Sequence, residues 1–118
     1  MVNYSDARLD RMFAALSDPT RRAVLTRLAQ ARTLSVTALA EPFDIKLHTV
    51  MKHLDVLADA GLIRRAKTGR TVHVEIARGS LQPAVRWLER QERFWSASLD
   101  RLASYAEAGE RTAQERHR

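Results

Sequence analysis

Between residues 46 and 76 the spacing of apolar residues changes once, from a helical period to alternation. Val50, Leu54 and Leu57 recur at intervals of four and three, which sets them on one face of a helix. Gly61 follows, where the end of a helix favours a residue that accepts positive φ. After Leu62 and Ile63, the residues Val72, Val74 and Ile76 alternate with polar neighbours, and Lys67-Thr68-Gly69-Arg70 supplies a glycine for a tight turn. The pattern predicts a helix over 46–60 joined almost directly to a hairpin with strands at 62–67 and 71–76.

The residues on either side complete the outline. Leu9, Met12, Phe13 and Leu16 have helical spacing, which predicts a helix over 7–16. Asp18 is a good N-cap and Pro19 suits a first helical position, so a second helix runs to about Gln30. Ser35 can cap a short third helix from Val36 to about Glu41, where Pro42 disfavours continuation. Ser80 can cap a last helix that tolerates Pro83 in its first turn and runs to about 105–107. The polar stretch 109–118 reads as a disordered tail, leaving 1–108 as one domain.

The resulting class is mainly α with a small β-hairpin, in the order α-α-α-α-β-β-α. A short helix meets a longer one across Phe43-Asp44-Ile45, and a basic hairpin follows. That is the arrangement of a winged helix-turn-helix, whose second helix enters the major groove of double-stranded DNA. On that helix Leu47, His48, Thr49 and Met51 are expected near base edges, with Lys46 at its start and Lys52 and His53 nearer phosphate. Leu47 or Met51 is suited to a thymine methyl. In the hairpin Arg64, Arg65, Lys67, Arg70 and His73 form a cationic cluster. Residues 45–79 hold seven Lys/Arg against three Asp/Glu, an excess of four out of the chain's net +6. Positive charge is thus concentrated on the helix and hairpin that would meet a polyanion.

The last helix carries a second signal. Leu81, Val85, Leu88, Trp95, Leu99, Leu102 and Ala106 follow a four-three rhythm with Glu92 as the polar exception, and Ala84, Trp87, Gln91, Phe94 and Ser98 widen the stripe. Such a face is wider than one neighbouring helix needs. Trp87, Phe94 and Trp95 therefore read as the core of a homodimer interface, with an effector pocket among them as the other reading.

Other classes of function find little support. The chain has no cysteine, which removes disulfides, thiolate metal sites and cysteine nucleophiles and accords with a reducing cytoplasm. Its histidines are His48, His53, His73 and His117; none is on the last helix, and His48 and His53 do not share a helix face. No metal site and no cofactor are expected. There is no glycine-rich phosphate loop and no nucleophile elbow, so an enzyme is not expected. The N-terminal stretch has early acids and no apolar core of a signal peptide, and no apolar run is long enough to span a membrane. A protein-interaction module whose basic face docks an acidic partner is the competing reading.

Three stretches carry a resemblance to a known family. They are Ala15-Leu16-Ser17-Asp18-Pro19-Thr20-Arg21-Arg22-Ala23-Val24-Leu25, Val50-Met51-Lys52-His53-Leu54-Asp55-Val56-Leu57 and Ala60-Gly61-Leu62-Ile63. Over about residues 7–105 the chain resembles the arsenic-repressor (ArsR) family of bacterial winged helix-turn-helix regulators, in the branch without the usual metal sites. The resemblance implies a homodimer built from the first and last helices, through Leu9, Met12, Phe13, Leu88, Trp95, Leu99 and Leu102. It also implies repression by occupation of a palindromic operator, relieved by an effector the sequence does not identify. The chain departs from the family pattern at Lys46 and Met51, where serine is common. The first change weakens the helix cap, and the second replaces a polar DNA contact by an apolar one.

Overall fold

The computed structural model describes residues 6–116. The elements are α1 (Ala7–Leu16), α2 (Pro19–Gln30), β1 (Leu34–Ser35), α3 (Val36–Ala40), α4 (Leu47–Asp59), β2 (Ile63–Thr68), β3 (Thr71–Ile76) and α5 (Gln82–Arg116). They fall into two compact units, one ending at Ala84 and the other beginning at Val85. His117 lies outside the described residues.

The helix starts follow the local chemistry. Asp18 has extended backbone and accepts a hydrogen bond from the Arg21 N–H at 3.0 Å, with Pro19 just inside the helix. Ser35 caps α3 by accepting from the Ala38 N–H at 3.1 Å. α3 stops at Ala40, although Glu41 keeps helical angles despite Pro42. Gly61 ends α4 with φ +75°, and Gly69 turns the hairpin with φ +63°, conformations that a side chain disfavours. Ser80 does not cap α5. The helix starts at Gln82, and Ser80 is buried in the turn before it.

The sheet has one more strand than expected. Its order is β1-β3-β2, all antiparallel, with Leu34 opposite Val74 and Ser35 opposite His73. Two residues are too few to show a period, and β1 exists because β3 offers it a free edge. Thr33 secures the approach by donating from its hydroxyl to the Val74 carbonyl at 3.3 Å.

One core holds the first unit together. Met12 and Ala15 of α1, Val24 and Leu28 of α2, Leu39 of α3 and Val50, Leu54 and Leu57 of α4 are buried with Leu62, Ile63 and Val74. Each buried Val, Leu, Ile or Met side chain contributes roughly 1.5–3 kcal/mol on leaving water. Met12, expected at a dimer interface, is fully buried here and belongs to this core instead. Leu9 and Phe13, its companions in that expectation, are half-buried against the same core.

The second unit consists of α5 from Val85 onward. The helix passes the end expected near 105–107 and takes in most of the stretch expected to be a disordered tail. Gly109 and Thr112 are its weaker helix formers there, and Glu110, Arg111, Ala113, Gln114 and Glu115 all favour helix. Along it Leu88, Trp95, Leu99 and Leu102 are 51–63% exposed. Phe94 and Trp95 meet edge to face, with ring centres 6.2 Å apart.

Candidate nucleic-acid interface

α3 and α4 form the helix-turn-helix. α4 is held from behind by Val50, Leu54 and Leu57, and α1, α2 and α3 all pack on it. That leaves Lys46, Leu47, His48, Lys52, Asp55 and Asp59 exposed on its outer side. Its first turn holds no acidic residue, and Lys46 gives no side-chain cap. The positive end of the α4 dipole is therefore not offset by an acidic side chain within the helix's own first turn.

The other residues expected near bases or phosphate are placed differently. Met51 is half-buried and leans on the core, because it lies next to Val50 on the helix circumference. Thr49 is half-buried as well. His53 is drawn inward: its Nδ1 lies 3.8 Å from Asp18 Oδ2 and 3.4 Å from Arg21 Nη1.

That contact belongs to a junction whose purpose was not visible in the sequence. Arg21 donates through Nε to the Ala15 carbonyl at 2.7 Å and through Nη2 to the Ala14 carbonyl at 3.0 Å. Arg22 donates to the Leu16 carbonyl at 2.7 Å. The two arginines thus satisfy the open carbonyls at the end of α1, while Asp18 caps the start of α2. The hydrogen bond from the Arg21 N–H holds the Asp18 carboxyl below its ordinary value, partial burial opposes this, and the charges of His53 and Arg21 add to the lowering. The stretch Asp18-Pro19-Thr20-Arg21-Arg22 is therefore a structural splice that ties α1, α2 and α4 together. Its signal in the sequence was two adjacent arginines directly after a helix N-cap.

The hairpin's cations do not form one cluster. In the register Ile63 faces Ile76, Arg65 faces Val74 and Lys67 faces Val72, so Arg65 and Lys67 share the sheet face of the buried Val74. Arg64 lies on the other face, directly across from Glu75, and His73 sits half-buried on that face opposite Ala66. Arg65 forms an ion pair through Nη1 with Asp55 Oδ1 of α4. That pair fixes the hairpin against α4 but compensates one of the seven cations. Lys67 and Arg70 at the tip stay exposed with no ion pair among the described residues.

Among the described residues no three metal-ligating side chains come together, and no helix is long and apolar enough to cross a membrane.

Comparison with known proteins agrees with this geometry. Residues 16–66 match the family model described as a helix-turn-helix domain, a span that runs from the α1–α2 junction into β2. The transcriptional repressor SdpR of Bacillus subtilis (strain 168) is 29% identical over 80 residues, which are 68% of this chain and 88% of that protein. A crystal structure of an ArsR family transcriptional regulator is 41% identical, with a TM-score of 0.72, covering 81% of this chain and 97% of the other. An ArsR-like transcriptional regulator from Rhodococcus sp. RHA1 is 34% identical, with a TM-score of 0.69, covering 81% of this chain and 90% of the other.

Proposed function

The chain belongs to the ArsR family of winged helix-turn-helix transcriptional regulators, and from that premise we propose that it represses transcription as a homodimer on a palindromic operator. The family consists of DNA-binding regulators, not enzymes. The observation that carries the finer reading is the exposed start of α4, where Lys46, Leu47 and His48 stand beside Lys52 on the side of the helix away from the core. This end enters the major groove, and the tip of the β2–β3 hairpin, with Lys67 and Arg70, reaches the flanking backbone.

The exposed face of α5 supports a second copy. A helix with Trp95, Leu99 and Leu102 each more than 60% exposed leaves a large apolar seam in water unless a partner covers it. An identical seam is the simplest partner, and closed two-fold pairing is the usual solution. Two copies present two α4 helices about one duplex turn apart, roughly 34 Å, and this spacing makes the operator palindromic. The cytoplasm is the compartment that fits a cysteine-free DNA-binding protein.

Selection of bound duplexes from a random pool, at two salt concentrations, tests the reading. We expect a two-fold symmetric site whose affinity falls steeply with salt. Salt-sensitive binding with no preferred sequence would instead favour a basic face built for an acidic protein.

A further inference from the structure

Leu47 is 53% exposed and takes no part in the core. A solitary exposed leucine is ordinary on a protein surface. This one is the first residue of α4, between Lys46 and His48, and Ile45 two residues earlier is 39% exposed. A face that gathers phosphates gains nothing from a leucine in its middle, because phosphate contacts are charge and hydrogen bonding. The floor of the major groove offers one apolar group, the C5 methyl of thymine. From residue type alone Met51 was an equal candidate for that methyl. The structure separates the two: Met51 leans on the core one turn along, and Leu47 is left pointing outward from the open end of the helix.

We propose that Leu47 is a specificity-determining residue that reads a thymine methyl in each half of the operator. The proposal rests on the DNA-binding reading above and adds the chemical identity of one base. Lys46 and Lys52 hold the backbone on either side, so Leu47 meets the base edge in a fixed register.

The experiment uses the full chain and the site obtained by selection from a random duplex pool. Each thymidine is replaced singly by deoxyuridine, which removes the methyl and keeps the base-pairing edge. Wild type should lose about fourfold in affinity at one thymine of each half-site, the effect of burying one methyl. Leu47→Ala should bind the same site with no penalty there, and Leu47→Met should restore the penalty. Circular dichroism of both variants should match wild type, because the side chain lies outside the core. The proposal is overturned if no thymine shows a penalty, or if Leu47→Ala keeps it undiminished. Failure to select any sequence overturns the DNA-binding reading itself, so the two failures are told apart.

Discussion

The unit that ends at Ala84 and the helix that follows from Val85 use similar apolar residues to opposite ends. In the first, Leu39, Leu54, Leu57 and Leu62 are within 1% of full burial. In the second, Leu88, Leu99 and Leu102 are more than half exposed. The first unit closes its core with four helices and a three-stranded sheet, and its outer surface is left for charge. The second is one helix, which cannot bury a stripe against itself. Folding stability thus resides in the first region, and the proposed dimer places assembly in the second. Substitutions of the same size should have effects of different kinds in the two.

The largest effect belongs to the closed core. Leu54→Ala removes a fully buried side chain from the middle of α4 and should cost about 2–5 kcal/mol of stability. Chemical denaturation should show the loss at every protein concentration. Trp95→Ala should act differently. It removes the more exposed of the two tryptophans on α5, a residue type that commonly dominates interfaces, and should weaken self-association by about 30-fold or more. Sedimentation should show monomer where wild type is dimer, and the melting temperature of wild type should rise with concentration while that of the variant does not. A variant that sediments as wild type would break the comparison, since the seam would then not be where the copies meet.

The same division governs how much was legible in the sequence. Elements that rest on local rules were readable. Asp18, Ser35, Gly61 and Gly69 sit where capping and turn chemistry puts them. The period of Val50, Leu54 and Leu57 gave α4 its buried face. What escaped depends on neighbours distant in sequence. β1 is two residues that become a strand only against β3. Met12 has the same spacing as Leu9 and Phe13, and only the packing of α1 decides that it points inward. The charge count subtracted Asp55 without saying which cation it meets, and the fold assigns it to Arg65 on a different element. The helical end of α5 was missed because polar composition was read as disorder, and composition that favours helix can be equally polar.

Smaller effects distinguish cations on the interface. Lys52→Ala and Arg70→Ala each should weaken operator binding and reduce the salt slope by about 0.9 per lost phosphate contact, without altering the dimer. Arg65→Ala should reduce the slope less, since its charge is already matched by Asp55. Titrations at several salt concentrations measure all three. Equal slopes for Arg65→Ala and Arg70→Ala would mean that the ion pair opens when DNA binds.

The smallest expected effect lies at the splice between α1 and α2, and its sign follows from Asp18. The folded carboxyl titrates below its ordinary value, so the ionised form is favoured by folding. Its contribution is therefore complete above the ordinary carboxylate value and is lost as pH falls through the lower folded value. Asp18→Asn keeps an oxygen to accept the Arg21 N–H and gives up the charge next to Arg21 and His53. The variant should be less stable than wild type at neutral pH, and the gap should close as the medium is acidified below the ordinary carboxylate value. Urea midpoints taken across that range test this as a difference between two proteins, so that other carboxylates cancel. Curves that stay parallel down to the lowest pH would show that the hydrogen bond at the cap, rather than the charge, is what Asp18 supplies.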